Sequence, residues 1–179
     1  ILNNTFIGNV AFKTPSVVPG FDANGGGIYS SSGTTLIANN LIVFGSSGLL
    51  ASTSTIQNNC IYGNTTNYLG MPDLTGTNGN ISVNPMLLAA DDFHLSPNSP
   101  CINAGNTNSV MATTDFDGNP RIVGGSVDIG AHEYATPGSV ISYAWLQQYG
   151  LPTDGSADYT DADGDSANNW LEWQFNSVP

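Results

Sequence analysis

The feature that most restricts what this chain can fold into is a phrase it repeats. Ile56-Gln57-Asn58-Asn59-Cys60-Ile61-Tyr62-Gly63-Asn64 has a near copy in Ile1-Leu2-Asn3-Asn4-Thr5-Phe6-Ile7-Gly8-Asn9 and another in Leu36-Ile37-Ala38-Asn39-Asn40-Leu41-Ile42-Val43-Phe44-Gly45. Aligning the Asn-Asn pairs sets the copies 36 residues apart (3 to 39) and then 19 (39 to 58). Self-similarity at a fixed period belongs to repeat architectures, and a β-rich unit of roughly 20 residues fits a parallel β-solenoid. The longer first interval reads as the same unit with a loop spliced in, at about residues 11–24.

Within each copy, apolar residues alternate imperfectly with small polar ones, as in short strands with one face turned inward. The first Asn of each pair is expected to point outward or to lie in a turn, and an Asn at a tight bend can accept left-handed backbone. The second, Asn4, Asn40 or Asn59, is the candidate for an inward ladder, because a side-chain amide both donates and accepts. Stacked identical amides then satisfy one another along the repeat axis. The run Gly25-Gly26-Gly27-Ile28-Tyr29-Ser30 has no Lys and no helical pattern after it, so it is not a phosphate cradle. It reads as a bend where the backbone passes close to a neighbouring unit.

The Gly-Gly-Gly-Ile-Tyr run followed by the Asn-Asn units resembles the right-handed parallel β-helix proteins of the pectate-lyase-like superfamily. A second set of motifs follows. These are Gly79-Asn80-Ile81-Ser82-Val83-Asn84-Pro85, Asp92-Phe93-His94-Leu95-Ser96-Pro97, Cys101-Ile102-Asn103-Ala104-Gly105, Asp115-Phe116-Asp117-Gly118-Asn119-Pro120-Arg121 and Asp128-Ile129-Gly130-Ala131-His132-Glu133-Tyr134. Their order resembles the terminal region of large bacterial secreted or surface β-helix proteins of the choice-of-anchor type. The resemblance covers residues 1–135. It implies an all-β fold, a right-handed parallel β-helix made of its C-terminal rungs and a cap, and an extracellular setting. It implies no activity, since one fold carries many functions. A cap is physically reasonable, because the end of a stack exposes unpaired strand edges and an open core. Arg121, beside Asp115, Asp117, Asp128 and Glu133 in sequence, is expected to pin that cap by an ion pair. Residues 136–138 read as a linker.

The texture changes in residues 139–179. Ser139 can N-cap a helix whose apolar positions Ile141, Trp145 and Tyr149 fall at helical spacing, stopped by Gly150 and Pro152. A second helix is expected over residues 168–175. Between them, counting Asp161 as position 1, oxygen side chains fall at Asp161, Asp163, Asp165, Asn169 and Glu172, with the Ala167 carbonyl at position 7. That is the ligand order of an EF-hand-like calcium loop, and hard oxygen donors favour Ca²⁺ over zinc or copper. Ser166 stands where that loop prefers Gly. The last 29 residues hold six acidic side chains and no basic one, which repel unless a cation neutralises them. The stretch resembles a single dockerin-like or thrombospondin-type-3 calcium repeat, and Trp145-Leu146-x-x-Tyr149-Gly150-Leu151-Pro152 resembles the lead-in to such repeats. Dockerins carry two loops and this chain has one. Asp154 and Asp158 are further candidate ligands. The expected fold is thus a parallel β-helix with a small α-helical calcium-binding segment at its C-terminus.

Charge narrows the function further. Lys13 and Arg121 are the only basic residues against fourteen acidic ones, giving a net charge of −12. Nucleic acid and anionic membrane surfaces both need Lys and Arg, so neither is an expected partner. No apolar run reaches the ~18 residues of a membrane span. Catalytic material is thin. A lyase base has only Lys13, and the acids of the repeat region, Asp22 and Asp73, both fall in expected loops. His94 and His132 sit in separate motifs and read as structural. Cys60 and Cys101 either pair or serve as small buried apolar residues. No catalytic residue is assigned. The expected function is a calcium-stabilised extracellular structural or adhesive module. Its further partners are other copies, through an open N-terminal unit, or a polysaccharide or cell surface. The alternative is the C-terminal part of a secreted polysaccharide lyase or glycoside hydrolase. Ile1 begins inside a repeat, so more chain is expected upstream.

Overall fold

The repeat spacing of the sequence becomes strand register. The computed structural model describes residues 1–11 and 26–179, and Lys13, Asp22 and the loop expected at residues 11–24 lie largely or wholly outside that description. The chain divides into two units, Ile1–Asn84 and Pro85–Pro179, so the stretch expected as a linker at residues 136–138 falls within the second.

Among the described residues of the first unit, eight short strands form three sheets. Strands β1 (Thr5–Ile7), β4 (Leu41–Val43) and β7 (Cys60–Tyr62) make one, and β2 (Ile28–Ser30), β5 (Ser47–Ala51) and β8 (Thr66–Tyr68) another. The third pairs β3 (Leu36–Ala38) with β6 (Thr55–Gln57). Every pairing is parallel, and Thr5 lies beside Leu41, which lies beside Cys60. The 36- and 19-residue spacings are therefore the offsets between hydrogen-bonded neighbours.

The strands can be this short because their inward side chains make one core. Ile28, Ile37, Ile42, Leu49, Ile56, Ile61 and Tyr68 pack together, drawn from all three sheets. Burying each aliphatic side chain contributes about 1.5–3 kcal/mol. Gly26 and Gly27 make the expected close pass. A Cβ on Gly26 would fall 2.7 Å from Ser46 Oγ and 2.8 Å from the Asn9 carbonyl, and one on Gly27 would run into the Gly48 carbonyl.

The Asn pairs divide their work as expected. Asn3, Asn39 and Asn58 take positive φ of 53°, 58° and 50° and turn the chain. Asn4, Asn40 and Asn59 form a hydrogen-bonded ladder. Asn4 Nδ2 donates to Asn40 Oδ1 at 3.2 Å, and Asn40 Nδ2 to Asn59 Oδ1 at 2.9 Å. Each acceptor also takes the backbone N–H of the preceding Asn, at 3.1 and 3.0 Å. The ladder has a fourth member: Asn59 Nδ2 and N both donate to Asn80 Oδ1, at 3.0 and 3.1 Å. Gly79 stands where the other units place the turning Asn, and it has φ +71°.

The expectation of an all-β right-handed parallel β-helix reaching to residue 135 is corrected. The sheets are small, with three, three and two strands, and none closes into a solenoid. Parallel strands stop at Tyr68, and the described residues beyond Pro85 form no strand, only isolated antiparallel bridges such as Leu87–Leu95 and Thr114–Pro120. The cause is local. Pro85, Pro97, Pro100 and Pro120 supply no N–H for a ladder, and Asn and Gly residues break the remaining runs into turns.

Buried polar side chains hold those loops instead. Asp128 accepts the backbone N–H groups of Asn103 and Tyr134, each at 2.7 Å. Glu133 accepts those of Val123 and Asp128, and Asp115 those of Asp117, Asn119 and Glu133. Arg121 is buried among them. Its NH2 donates to the carbonyls of Asp128 (3.2 Å) and Gly130 (2.6 Å), its NH1 to that of Ala131, and NH1 lies 3.8 Å from Glu133 Oε2. The expected ion pair is thus one contact in a net made mainly of carbonyls. Cys60 and Cys101 are buried and are not joined in a disulfide.

The expected helical calcium segment is also corrected. Helices α1 (Tyr143–Gln148) and α2 (Asn169–Phe175) have six and seven residues, and the chain between them is irregular. The cap of α1 is Ser142, not Ser139. Ser139 is buried and gives its hydroxyl to Asp158 Oδ1 at 2.6 Å. Ile141, Leu146 and Ala157 form a small core that Trp145, Leu151, Trp170 and Trp173 cover.

Candidate metal centre

The acidic loop starts from the habit of Asp to bond the backbone just ahead of it. Asp161 Oδ1 accepts the N–H of Gly164 at 2.7 Å, and its Oδ2 that of Ser166 at 3.0 Å. Asp163 and Asp165 accept the N–H two residues on, at 3.1 and 2.8 Å. These bonds curl the chain around its own carboxylates. Gly164 and Ser166 take φ of 84° and 82°, so Ser166 adopts the left-handed backbone for which Gly is preferred at that position.

One oxygen each of Asp161, Asp163 and Asp165 lies within 4.8 Å of the others. Two oxygens bound to a single Ca²⁺ at about 2.4 Å can be at most about 4.8 Å apart, so the spacing suits that ion.

Helix α2 supplies the fourth carboxylate. Asn168 caps it by accepting the N–H of Leu171 at 3.0 Å, which places Glu172 in the first turn. Glu172 is 1% exposed, and neither carboxylate oxygen has a hydrogen-bond partner. Burial first, then the charges of Asp163, Asp165 and Asp161, push its carboxyl above the usual range. Beside it, Asn169 is wholly buried. Its Nδ2 donates to the Ala157 carbonyl and to Thr160 Oγ1, while its Oδ1 makes no hydrogen bond. The three buried oxygens of Asn169 and Glu172 lack donors, and the charges of the Asp161, Asp163 and Asp165 cluster reach Glu172, a need that a hard cation would meet.

The other candidate ligands are engaged elsewhere. Asp158 is buried and takes the Ser139 hydroxyl and the Val140 N–H, and Asp154 bonds the N–H and hydroxyl of Ser156. Asp73 is exposed and bonds the Thr75 N–H, while Lys13 and Asp22 lie outside the described residues. No family model matches the chain, and neither a curated protein nor a solved structure matches it. No described helix is long and apolar enough to cross a membrane.

Proposed function

We propose that this chain is a non-catalytic extracellular structural or adhesive module whose C-terminal segment is ordered by one Ca²⁺. Asp161, Asp163, Asp165, the Ala167 carbonyl, Asn169 and Glu172 would hold the ion. The observation that carries the reading is Glu172, a buried carboxylate without a donor that feels the charges of Asp163, Asp165 and Asp161. A carboxylate in that position must be protonated or meet a cation. Extracellular fluids supply Ca²⁺ at the concentrations that modest-affinity sites require. The acidic balance and the motifs of residues 79–134 support the same setting.

The test is limited proteolysis and thermal melting in Ca²⁺ and in chelator. Ca²⁺ is expected to protect residues 139–179 and leave the Ile1–Asn84 unit unchanged, because a bound ion stabilises what it ligates. Glu172→Gln is expected to weaken Ca²⁺ binding at least tenfold while leaving the metal-free segment as stable as before, or more so. Identical cleavage and melting with and without chelator would end the proposal.

A further inference from the structure

Three side chains from separate loops of the second unit converge on one point: His94, Asp117 and His132. One nitrogen or oxygen of each lies within 4.8 Å of the others. His94 Nε2 is 2.6 Å from Asp117 Oδ2, and His132 Nε2 is 3.9 Å from Asp117 Oδ1. The two imidazole rings pack with centroids 4.3 Å apart, and Phe116 packs edge-on against His132 at 5.5 Å.

We propose that His94, Asp117 and His132 form a binding site for a divalent transition metal of the Zn²⁺ class, separate from the acidic loop. The donor set is two imidazoles and a carboxylate, which suits Zn²⁺ and its neighbours and is a poor match for Ca²⁺. Around a tetrahedral ion with bonds of about 2.0–2.1 Å, ligand atoms lie about 3.3 Å apart. The observed separations, 2.6 Å from His94 to Asp117 Oδ2 and 3.9 Å from His132 to Asp117 Oδ1, fall on either side of that value, so a turn of the carboxylate and shifts of roughly 0.6–0.7 Å bring one oxygen and both imidazoles around one ion. The metal would replace the proton that now joins His94 to Asp117.

The surroundings hold the ligands in place. Asp92 Oδ1 lies 2.5 Å from His94 Nδ1 and accepts the His94 backbone N–H at 3.1 Å, so Nε2 is turned toward Asp117. A carboxylate behind a ligating histidine is the usual second partner in zinc sites. Phe116 N donates to the Ala131 carbonyl at 3.0 Å, and Glu133 N to Asp115 Oδ2 at 3.0 Å, binding the Asp117 turn to the His132 segment. The side chains of His94 and Asp117 are 44% and 38% exposed, which leaves the ion a route in and a fourth position for water. Bound there, the metal would staple three loops that are far apart in sequence.

The test is titration of Co²⁺ and Zn²⁺ into the full chain with saturating Ca²⁺ present. Visible absorption would follow tetrahedral Co²⁺, and calorimetry would follow Zn²⁺. One equivalent is expected, unchanged in Glu172→Gln. His94→Gln and Asp117→Asn, both at substantially exposed side chains, should each weaken binding at least tenfold with the circular dichroism spectrum intact. Asp92→Asn should keep the stoichiometry and weaken binding about tenfold. Absence of binding by either metal overturns the proposal, and so does binding that both ligand variants leave unchanged.

Discussion

The two units of this chain meet the same requirement, a partner for every buried backbone group, with different chemistry. In Ile1–Asn84 the partners are neutral: parallel strands bond one another, and Asn side chains at a fixed place close the gaps at the bends. Only Asp22 and Asp73 of the fourteen acidic residues fall in that unit. In Pro85–Pro179 backbone bonds between loops are joined by charged partners. Asp115, Asp128 and Glu133 each gather N–H groups from loops that no sheet organises, and Arg121 gathers the carbonyls. A repeated amide needs no counter-charge and can be copied from unit to unit. A buried carboxylate collects several donors at once but must be balanced. The first solution yields a periodic sequence and the second yields scattered acids whose purpose shows only in three dimensions.

The largest expected effect comes from unbalancing the second unit. Arg121→Met keeps the volume and removes the charge, leaving Asp128 and Glu133 buried beside uncompensated carbonyls. Breaking a buried pair in this way costs about 3–5 kcal/mol. The loss should depend on pH. Burial already holds the Asp128 carboxyl above the usual carboxylate range. An acid whose folded pKa exceeds its unfolded value favours folding most at low pH, and that contribution is lost as pH rises through the folded value. Removing the guanidinium raises the folded value further. Urea melts of the variant should therefore show the greatest loss at pH 8 and a partial recovery toward pH 5. An equal loss at both pH values would mean that Arg121 acts by packing alone.

The neutral unit should be graded along its ladder. Asn59 is buried between two other amides, and its Oδ1 takes both N–H groups that Asn40 points at it. Asn59→Ala orphans the Asn40 backbone N–H and takes the Asn59 Nδ2 donor from the buried Ile37 carbonyl, while the Asn80 amide oxygen keeps the Asn59 backbone N–H. At about 1–3 kcal/mol for each unsatisfied buried group, the expected loss is about 2–4 kcal/mol. Asn4 is exposed at the other end, so water can replace it, and Asn4→Ala should stay within about 0.5 kcal/mol. Equal losses at both positions would show that the amides act through turn propensity and not through the ladder.

That grading also explains what could be read from the sequence. Asn3-Asn4, Asn39-Asn40 and Asn58-Asn59 announced both the strand register and the ladder, because a periodic structure repeats its chemistry at a fixed spacing. The fourth amide, Asn80, was hidden because Gly79 replaced the turning Asn and did the same backbone work without a side chain. Beyond Pro85 the motifs suggested the cap of a β-helix, and the structure shows loops without strands. Tertiary contacts set the shape there, and no period records them. The acidic loop was legible from its spacing, since Asp161, Asp163 and Asp165 are neighbours in sequence. The burial of Glu172 and the orphaned Asn169 Oδ1 were not. His94, Asp117 and His132 are too far apart in sequence to signal one another. The only local hint was Asp92, two residues before His94 and within reach of its ring.

A further expected effect has the opposite sign, and it tests whether the neutral unit tolerates an unmatched polar group at Tyr68. Tyr68 ends β8 with its ring in the core, and its hydroxyl is buried without a hydrogen bond of ordinary length, the Thr75 side chain making only a weaker approach that opposes the effect of burial. Every other part of the comparison says that such a group should cost stability. Tyr68→Phe removes the hydroxyl and keeps the ring, so it should stabilise the unit by about 1 kcal/mol. Burial pushes the Tyr68 hydroxyl up to about 12 from its ordinary value of 10.0. The folded state therefore holds that proton more tightly than the unfolded one. Stability is lost as pH rises from about 10 through about 12, by roughly 2–3 kcal/mol once both values are passed. Denaturant melts at pH 7 and pH 11 should show the wild type losing more than Tyr68→Phe over that interval. If the variant is instead destabilised at pH 7, the hydroxyl has a partner, such as a bound water, and the neutral unit obeys the rule at this position.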